Sequence, residues 1–403
     1  MKRWVFFVLF LFVIFYTTLT FISSQVTFPL ISSLSSVSKL KYYDYSGVTH
    51  VHSKLSTGSG TIDEIAQAAS LANCDFLILT DLNVGQKPEF VEGYKDDVAV
   101  IWAGEFSYLG GHLLAYDLPE TESFKGLGQA QIIFNDLLHQ KPRPSSQGFL
   151  IASHPNLPQH TWGNLNDSGL TGMEVINLDS LWRDEIVSNK LSILWSILIL
   201  PFNPDLSYLR LFNDPEKELS AWDEILKTRS FVGVGGSDAT ANAIPWPNES
   251  FKFPSYTQSF SLMKNHLLLK SELTGSYKSD RTKIMSALAQ GNFYFSVDII
   301  GDPTGFYFIG QQRRQEWLPG STVSRSNGPI RFVVDLGRQI ELPHEIILYR
   351  NGVKVGISNS HRLEYTADQA GAYRVTVRVI PTLPLPDGKT WYTWIFSNAI
   401  RVE

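Results

Sequence analysis

The chain has 403 residues, 43% hydrophobic and 18% charged, a balance that belongs to a folded protein of one or two domains and excludes a disordered one. A formal net charge of −5 leaves no surplus of Lys and Arg to neutralise a phosphate backbone, so no nucleic-acid partner is expected. The single cysteine, Cys74, excludes an intramolecular disulfide and, within the apolar passage LANCDFLIL, reads as a buried thiol.

The first element follows MKR: the run WVFFVLFLFVIFYTTLTFI is uncharged over about the length that crosses a bilayer. Its basic flank predicts a cytoplasmic N-terminus and the remainder of the chain on the extracytoplasmic side, periplasmic or extracellular. FISS is a poor cleavage site, so residues 1–24 read as an uncleaved membrane anchor or signal anchor. The Ser-rich SSLSSVSKL lies in an expected linker over 25–41. From Tyr42 to about residue 300, short apolar runs alternate with amphipathic stretches, the pattern of βα units. Strands are expected at GVTHVH, FLILTD, VAVIWAGE, HLLAY, FLIASH, GMEVIN, FVGVGG and NFYFSV. One helix begins at Thr61, where TIDE offers a capping box with Glu64, and others fall at QAQIIFNDLLHQ, EKELSAWDEILK and DRTKIMSALAQ. LSILWSILILPF, at 191–202, is too short to span and reads as a buried or interfacial helix. The alternation predicts an α/β barrel, or a barrel-like layered fold, over 42–300. Over 301–403 the texture changes to strands with turn signals, which predicts a β-sandwich. Its DQAGAYRV turn, with Asp368, Gly371 and Tyr373, resembles the tyrosine corner of immunoglobulin-like domains.

The residues able to hold a metal fall at the ends of successive expected strands. His50 and His52 close the first, Asp81 the second and Glu105 the third; His154 and Asp238 close later ones. In a parallel barrel those ends share one face, so residues nearly two hundred positions apart can meet. His50 and His52 are alternate residues of a strand, so both rings can reach one ion. Imidazole with carboxylate suits Zn, Mn or Fe, whereas Ca and Mg favour oxygen. His160, in LPQHTWGN, is a further candidate for contacting substrate or donating a proton. Arg183 reads as a surface ion pair, and His139, His266, His344 and His361 lie outside the pattern.

The ordered set HVHSKLSTGSGTIDEIAQAASLANCDFLILTDLN, AGEFS, GGHLLAY, ASHPN, MEVIN and VGGSDAT resembles the polymerase and histidinol phosphatase (PHP) superfamily of metal-dependent hydrolases. IMSALAQGNFYFSVDIIGDPTGFYF and the closing SNAIRV look like its exported branch, which includes carbamate and ester hydrolases with a C-terminal β domain. The resemblance implies a distorted (β/α)7 barrel with up to three metals. Thr57, Leu82 and Thr240 stand where the family usually has ligands of the third, so two divalent ions are implied. His50, His52, Glu105 and Asp238 would hold the first, and Glu105, His112 and His154 the second. Glu105 and Asp238 are thus the implied catalytic carboxylates, with Asp81, Ser237 and Asn177 as candidates for orienting the ligands. A water between two such ions would ionise near neutral pH and attack a small phosphate ester or nucleotide. The same site would serve a carboxyl ester, carbamate or amide. The alternative from another class is a non-catalytic metal-binding or interaction module.

Overall fold

The computed structural model describes residues 2–31, 41–118, 127–139, 148–158, 160–246, 249–252 and 254–403, and most of the Ser-rich linker lies outside them. The apolar N-terminal run forms helix α1 (Lys2–Ser24), which is long and apolar enough to cross a membrane and mostly unburied. The sheets begin with β1 (Tyr43–Val51). Thr61 then caps α2 (Ile62–Leu71): its hydroxyl accepts from the Glu64 amide at 3.2 Å, while its own amide donates to the Glu64 carboxylate at 2.8 Å. That reciprocal box satisfies two amides that a helix start otherwise leaves unpaired.

Next come β2 (Phe76–Leu79), β3 (Gly93–Lys95), β4 (Val98–Trp102), β5 (Gly104–Tyr108), β6 (Gly111–Tyr116), α3 (Leu127–His139), β7 (Phe149–Ser153) and β8 (Leu170–Asn177). After β8 stand α4 (Leu178–Ser188), α5 (Lys190–Ile199), α6 (Pro204–Leu209) and α7 (Glu216–Leu226), then β9 (Val232–Gly236) and the hairpin of β10 (Ala243–Trp246) and β11 (Glu249–Lys252). α8 (Tyr256–Leu262), β12 (Lys264–Leu269), α9 (Tyr277–Gln290) and β13 (Phe293–Ser296) complete this part. Cys74 is buried between α2 and β2.

β1, β2 and β4 run parallel in one sheet, and β5 to β9 form a second. The expected strand VAVIWAGE breaks at Ala103, so Val98–Trp102 pairs in the first sheet and Gly104–Tyr108 in the second. Hydrogen bonds link the sheets on both sides. Asn83 N donates to Glu105 O at 2.7 Å; opposite, Ser237 N donates to Thr49 O at 3.1 Å and His52 N to Ala239 O at 3.0 Å. β2 and β9 are buried throughout, which explains their continuous apolar runs in place of alternation.

Besides the short β3, which pairs antiparallel with β4, two strands of these sheets depart from the all-parallel expectation. β6 runs antiparallel to both β5 and β7, so its first turn, not its last, lies at the end where β5 and β7 finish. β12, which had no place among the expected strands, pairs antiparallel with β1 and with β13.

The C-terminal part comprises β14 (Tyr307–Gln312), β15 (Gln315–Trp317), β16 (Thr322–Val323), β17 (Ile330–Asp335), β18 (His344–Arg350), β19 (Val353–Ser358), β20 (Arg362–Ala367), β21 (Gly371–Val379), β22 (Tyr392–Ser397) and β23 (Ile400–Val402). β15, β14, β17 and β20 make one antiparallel sheet. β22 pairs with β13 and β21, so hydrogen bonding continues from the α/β region into this one. Arg374 of β21 grips Asp223 of α7 through two bonds, Nε to Oδ1 at 2.7 Å and a second guanidinium nitrogen to Oδ2 at 2.6 Å. Asn398 receives the Gly233 amide at 2.8 Å and returns a bond to its carbonyl at 3.1 Å, so the end of the chain acts as a strand partner to β9. The Tyr373 hydroxyl donates to Gln369 O at 2.8 Å, tying the DQAGAYRV corner to its own backbone.

Candidate metal centre

The end of β1 bends at His50, whose backbone adopts φ 61°, a left-handed conformation that costs a non-glycine residue stability. His154 (φ 26°) and Asp238 (φ 47°), just beyond β7 and β9, do the same. Strain at three candidate ligands is tolerated because the surrounding bonds hold them. Ser237 Oγ donates to the carbonyls of Thr49 and His50 at 3.1 and 2.9 Å, and the Tyr256 hydroxyl donates to His52 O at 2.7 Å.

These elements bring His50, His52, Glu105, His112, His154 and Asp238 together from five strand ends. His50, His52 and Asp238 form one group, and Glu105, His112 and His154 another; within each, one donor atom per residue lies within 4.8 Å of the others. Glu105 joins the groups. Its Oε1 lies 2.9 Å from His112 Nδ1, 3.2 Å from His154 Nε2 and 3.4 Å from His50 Nε2, while its Oε2 lies 3.3 Å from His52 Nε2. Asp238 Oδ1 closes the first group at 3.4 Å from His50 Nε2 and 3.3 Å from His52 Nε2. His112 reaches the centre because β6 is reversed. Its register partners are Ser107 and Ser153, beside the ends of β5 and β7.

The donors fit a metal on two observations. His50 Nε2, the nitrogen that faces Glu105 and Asp238, is buried without a hydrogen-bond partner, a costly state for a polar atom unless something else binds it. The separations of 3.3 and 3.4 Å around His50 and His52 are long for hydrogen bonds, but they match the edge of a tetrahedron whose donors sit about 2.0–2.1 Å from its centre, roughly 3.3 Å. Electrostatics agrees. Burial disfavours charge on His50, yet the carboxylates of Asp238, Glu174 and Glu105 outweigh it and raise its pKa well above the usual imidazole range. Burial likewise opposes ionised Glu105, but His50, His112 and His154 hold its carboxyl well below the usual value; His50 and His52 do the same for Asp238. A field that draws protons onto imidazoles is one that draws divalent cations.

Behind the donors stands a carboxylate to which the sequence had assigned no role. Glu174, in the middle of β8 and 1% exposed, lies with Oε1 2.7 Å from His50 Nδ1. Its Oε2 accepts from His154 N at 2.8 Å, Asn177 Nδ2 at 2.9 Å and Ser153 Oγ at 3.1 Å. It therefore fixes the ring of His50 with Nε2 pointing to Glu105 and Asp238. Gly236 makes room for it, since a Cβ there would overlap Glu174 Oε1. The signal was an acidic residue between the apolar Met173 and Val175 of a buried strand, which calls for a buried partner.

Asp81 is placed differently from the expectation that it accepts from a ligand imidazole. Its carboxylate accepts from Ser53 N and Ser53 Oγ, each at 2.8 Å, and from Ser56 Oγ at 2.6 Å. It reaches His52 only through Ser56, whose hydroxyl is 3.4 Å from His52 Nδ1. Serine hydroxyls thus occupy the carboxylate near the positions of Thr57 and Leu82. Asn177 bonds Asp238 Oδ2 at 3.2 Å and also caps α4 through the Ser180 amide.

His160 stacks beside the second group, its ring centroid 4.3 Å from that of His112. Burial and the adjacent His112 and His154 depress its pKa, which keeps it neutral at pH 7. Arg183 pairs with Asp179 on the surface of α4. A cleft at the site is lined by His154, Asn156, Glu174, Asn177, Asp184 and Glu218 among others, none of them Lys or Arg.

A scan against protein-family models finds no match, and a search among curated proteins finds none either. Among solved structures, the chain is similar to a two-domain protein from Bacteroides vulgatus, described as containing a predicted PHP-like metal-dependent phosphoesterase, at 12% identity and a TM-score of 0.36 over 89% of this chain and 97% of that one. A second, from Bifidobacterium adolescentis and described as a candidate metal-dependent phosphoesterase, aligns at 13% identity and a TM-score of 0.25 over 51% of this chain and 92% of that one.

Proposed function

We propose that the protein is a metal-dependent hydrolase of small phosphate esters, with a two-ion centre in a distorted barrel of PHP type. The observation that carries this reading is the shared carboxylate of Glu105, set between two groups that each include histidines. Divalent ions there would supply Lewis acidity and lower the pKa of a water to near neutrality. His50, His52 and Asp238 would hold one ion and His112 with His154 the other, Glu105 bridging both. Glu174 and Asn177 fix these donors, so no reorganisation is needed as charge develops. His160 stands at the edge of the second group, where it would contact substrate.

The hydrogen bonds along both edges of the two sheets support the barrel reading, and the Tyr373 corner supports an immunoglobulin-like C-terminal region over 301–403. α1 is proposed as a membrane anchor that leaves the site outside the cytoplasm. A carboxyl ester, carbamate or amide substrate is the second reading, favoured by a cleft beside His154 whose lining, among the described residues, offers acids and amides and no cation for a phosphate. Metal analysis of the purified full chain, then hydrolysis of chromogenic phosphate esters and carboxyl esters in parallel, tests both. Bound Zn, Mn or Fe with phosphate release supports the first reading, carboxylate release the second, and a chain without metal or turnover favours the binding module.

A further inference from the structure

The apolar run after α4 has a feature the catalytic reading leaves unused. α5 carries Leu191, Leu194 and Ile197 at three-residue spacing along one side, 79%, 54% and 60% exposed. Between Lys190 and Asp205 the sequence has no charged residue. Its opposite side is buried through Ser196 and Ile199. An exposed apolar stripe is ordinary only where a partner covers it.

The position of α1 says what that partner is. α1 packs on α5 and the turn after it: the Tyr16 hydroxyl donates to Leu198 O at 3.1 Å, the Phe15 and Trp195 rings lie 6.2 Å apart, and Tyr16 meets Phe202 edge-on at 6.4 Å. Asn203 then donates to the carbonyls of Ser23 and Val26, both at 2.9 Å, fixing the exit of α1 against the start of α6. The uncharged stretch of α1 is centred near Val13, and Tyr16 is three residues, about 5 Å, beyond it. Half the hydrocarbon thickness of a bilayer is about 15 Å. A helix that touches α1 at Phe15 and Tyr16 therefore lies below the headgroups whenever α1 crosses the membrane. Two independent features agree, the depth of the contact and the absence of charge on the side of α5 that faces away from the protein.

We propose that α5 is a second membrane contact, its Leu191–Leu194–Ile197 side embedded among the acyl chains of the bilayer leaflet through which α1 emerges. This rests on the reading of α1 as an anchor. The hydrolase would then sit on the membrane surface held at two points, with α4 running from Asn177 at the candidate centre to the embedded helix.

The test uses the full chain with single cysteines at Phe7, Leu194 or Val353, the last an exposed position of β19. Native Cys74 is buried with its pKa pushed up to about 12 by that burial, so it labels slowly. Each variant is labelled with an environment-sensitive fluorophore and reconstituted into phosphatidylcholine vesicles that contain acyl-chain quencher lipids. Loss of fluorescence at position 194 comparable with that at position 7, with none at 353, is the expected result. Quenching at 7 with position 194 behaving like 353 overturns the inference and leaves the anchor standing. Absence of quenching at both 7 and 194 removes the anchor, and this inference with it. A shielded but unquenched position 194 that cross-links to a second copy also overturns it, in favour of a chain-to-chain contact.

Discussion

Two buried clusters in this protein use the same side chains to opposite ends. At the mouth of the strands, His50, His52, His112 and His154 surround Glu105 and Asp238, with the His50 nitrogen that faces both carboxylates unpartnered and three residues in left-handed backbone conformations. In β12, His266 is equally buried, but its Nδ1 lies 3.0 Å from Asp44 and its Nε2 3.2 Å from Asp298. Asp44 also accepts from the Tyr294 hydroxyl at 2.6 Å. No nitrogen of His266 is left over. The difference teaches that burial and carboxylate neighbours do not identify a ligand; an imidazole with both nitrogens satisfied is a structural ion pair, and one with an unbonded nitrogen facing other donors is a place for a cation.

That contrast can be broken by substitution. Glu105→Ala removes the carboxylate common to both groups. It should abolish stoichiometric metal and lower turnover about a thousandfold, the equivalent of several kcal/mol of lost charge stabilisation, read by metal analysis and initial rates on one set of samples. His266→Gln should do the reverse: activity per folded molecule stays, while stability falls by about 3 kcal/mol because Asp44 and Asp298 lose a buried cation, as urea unfolding would report. The cause also fixes a pH dependence. Burial opposes charge on His266, but Asp298 and Asp44 raise its pKa from 6.5 to about 10. A pKa raised by folding means that the contribution is complete below about pH 6.5 and fades as pH rises toward 10. The wild type should therefore lose more stability over that interval than the His266→Gln chain, and parallel losses would show that the pair carries no charge.

Glu174→Gln should sharpen the picture of the mouth, costing about 10- to 100-fold in metal affinity by titration because it frees the His50 ring without removing a donor. Asp81→Asn should cost less, under about tenfold in the same titration, since Asp81 acts on His52 only through Ser56. If the last two effects exchanged order, the assignment of Glu174 as the principal positioning carboxylate would be wrong.

Much of the mouth was legible beforehand because β1, β2, β7 and β9 finish at or just before polar residues that no strand needs, whereas Glu105, expected to close a strand, stands second in β5. Direction was not legible. His112 opens its strand while His50, His52, His154 and Asp238 stand at or just past the ends of theirs, and the reversal of β6 reconciles the two; a pleated run reads the same in either sense. Glu174 was hidden by its apolar neighbours in β8, and β12 by the lack of turn residues between Leu262 and Lys264. Long-range pairing hid the rest. The texture change near residue 301 is real, yet β13 bonds to β22 as well as to β12, and that link has no local signature.

The amide of Asn398 has a practical corollary. It supplies both partners that Gly233 needs, near the start of the strand whose far end presents Asp238. A fragment trimmed to the first three hundred residues would expose a polar seam at the base of β9, and its defect would surface some five residues away, at the carboxylate. Insertions and truncations in this protein should therefore avoid the SNAIRV segment that carries Asn398.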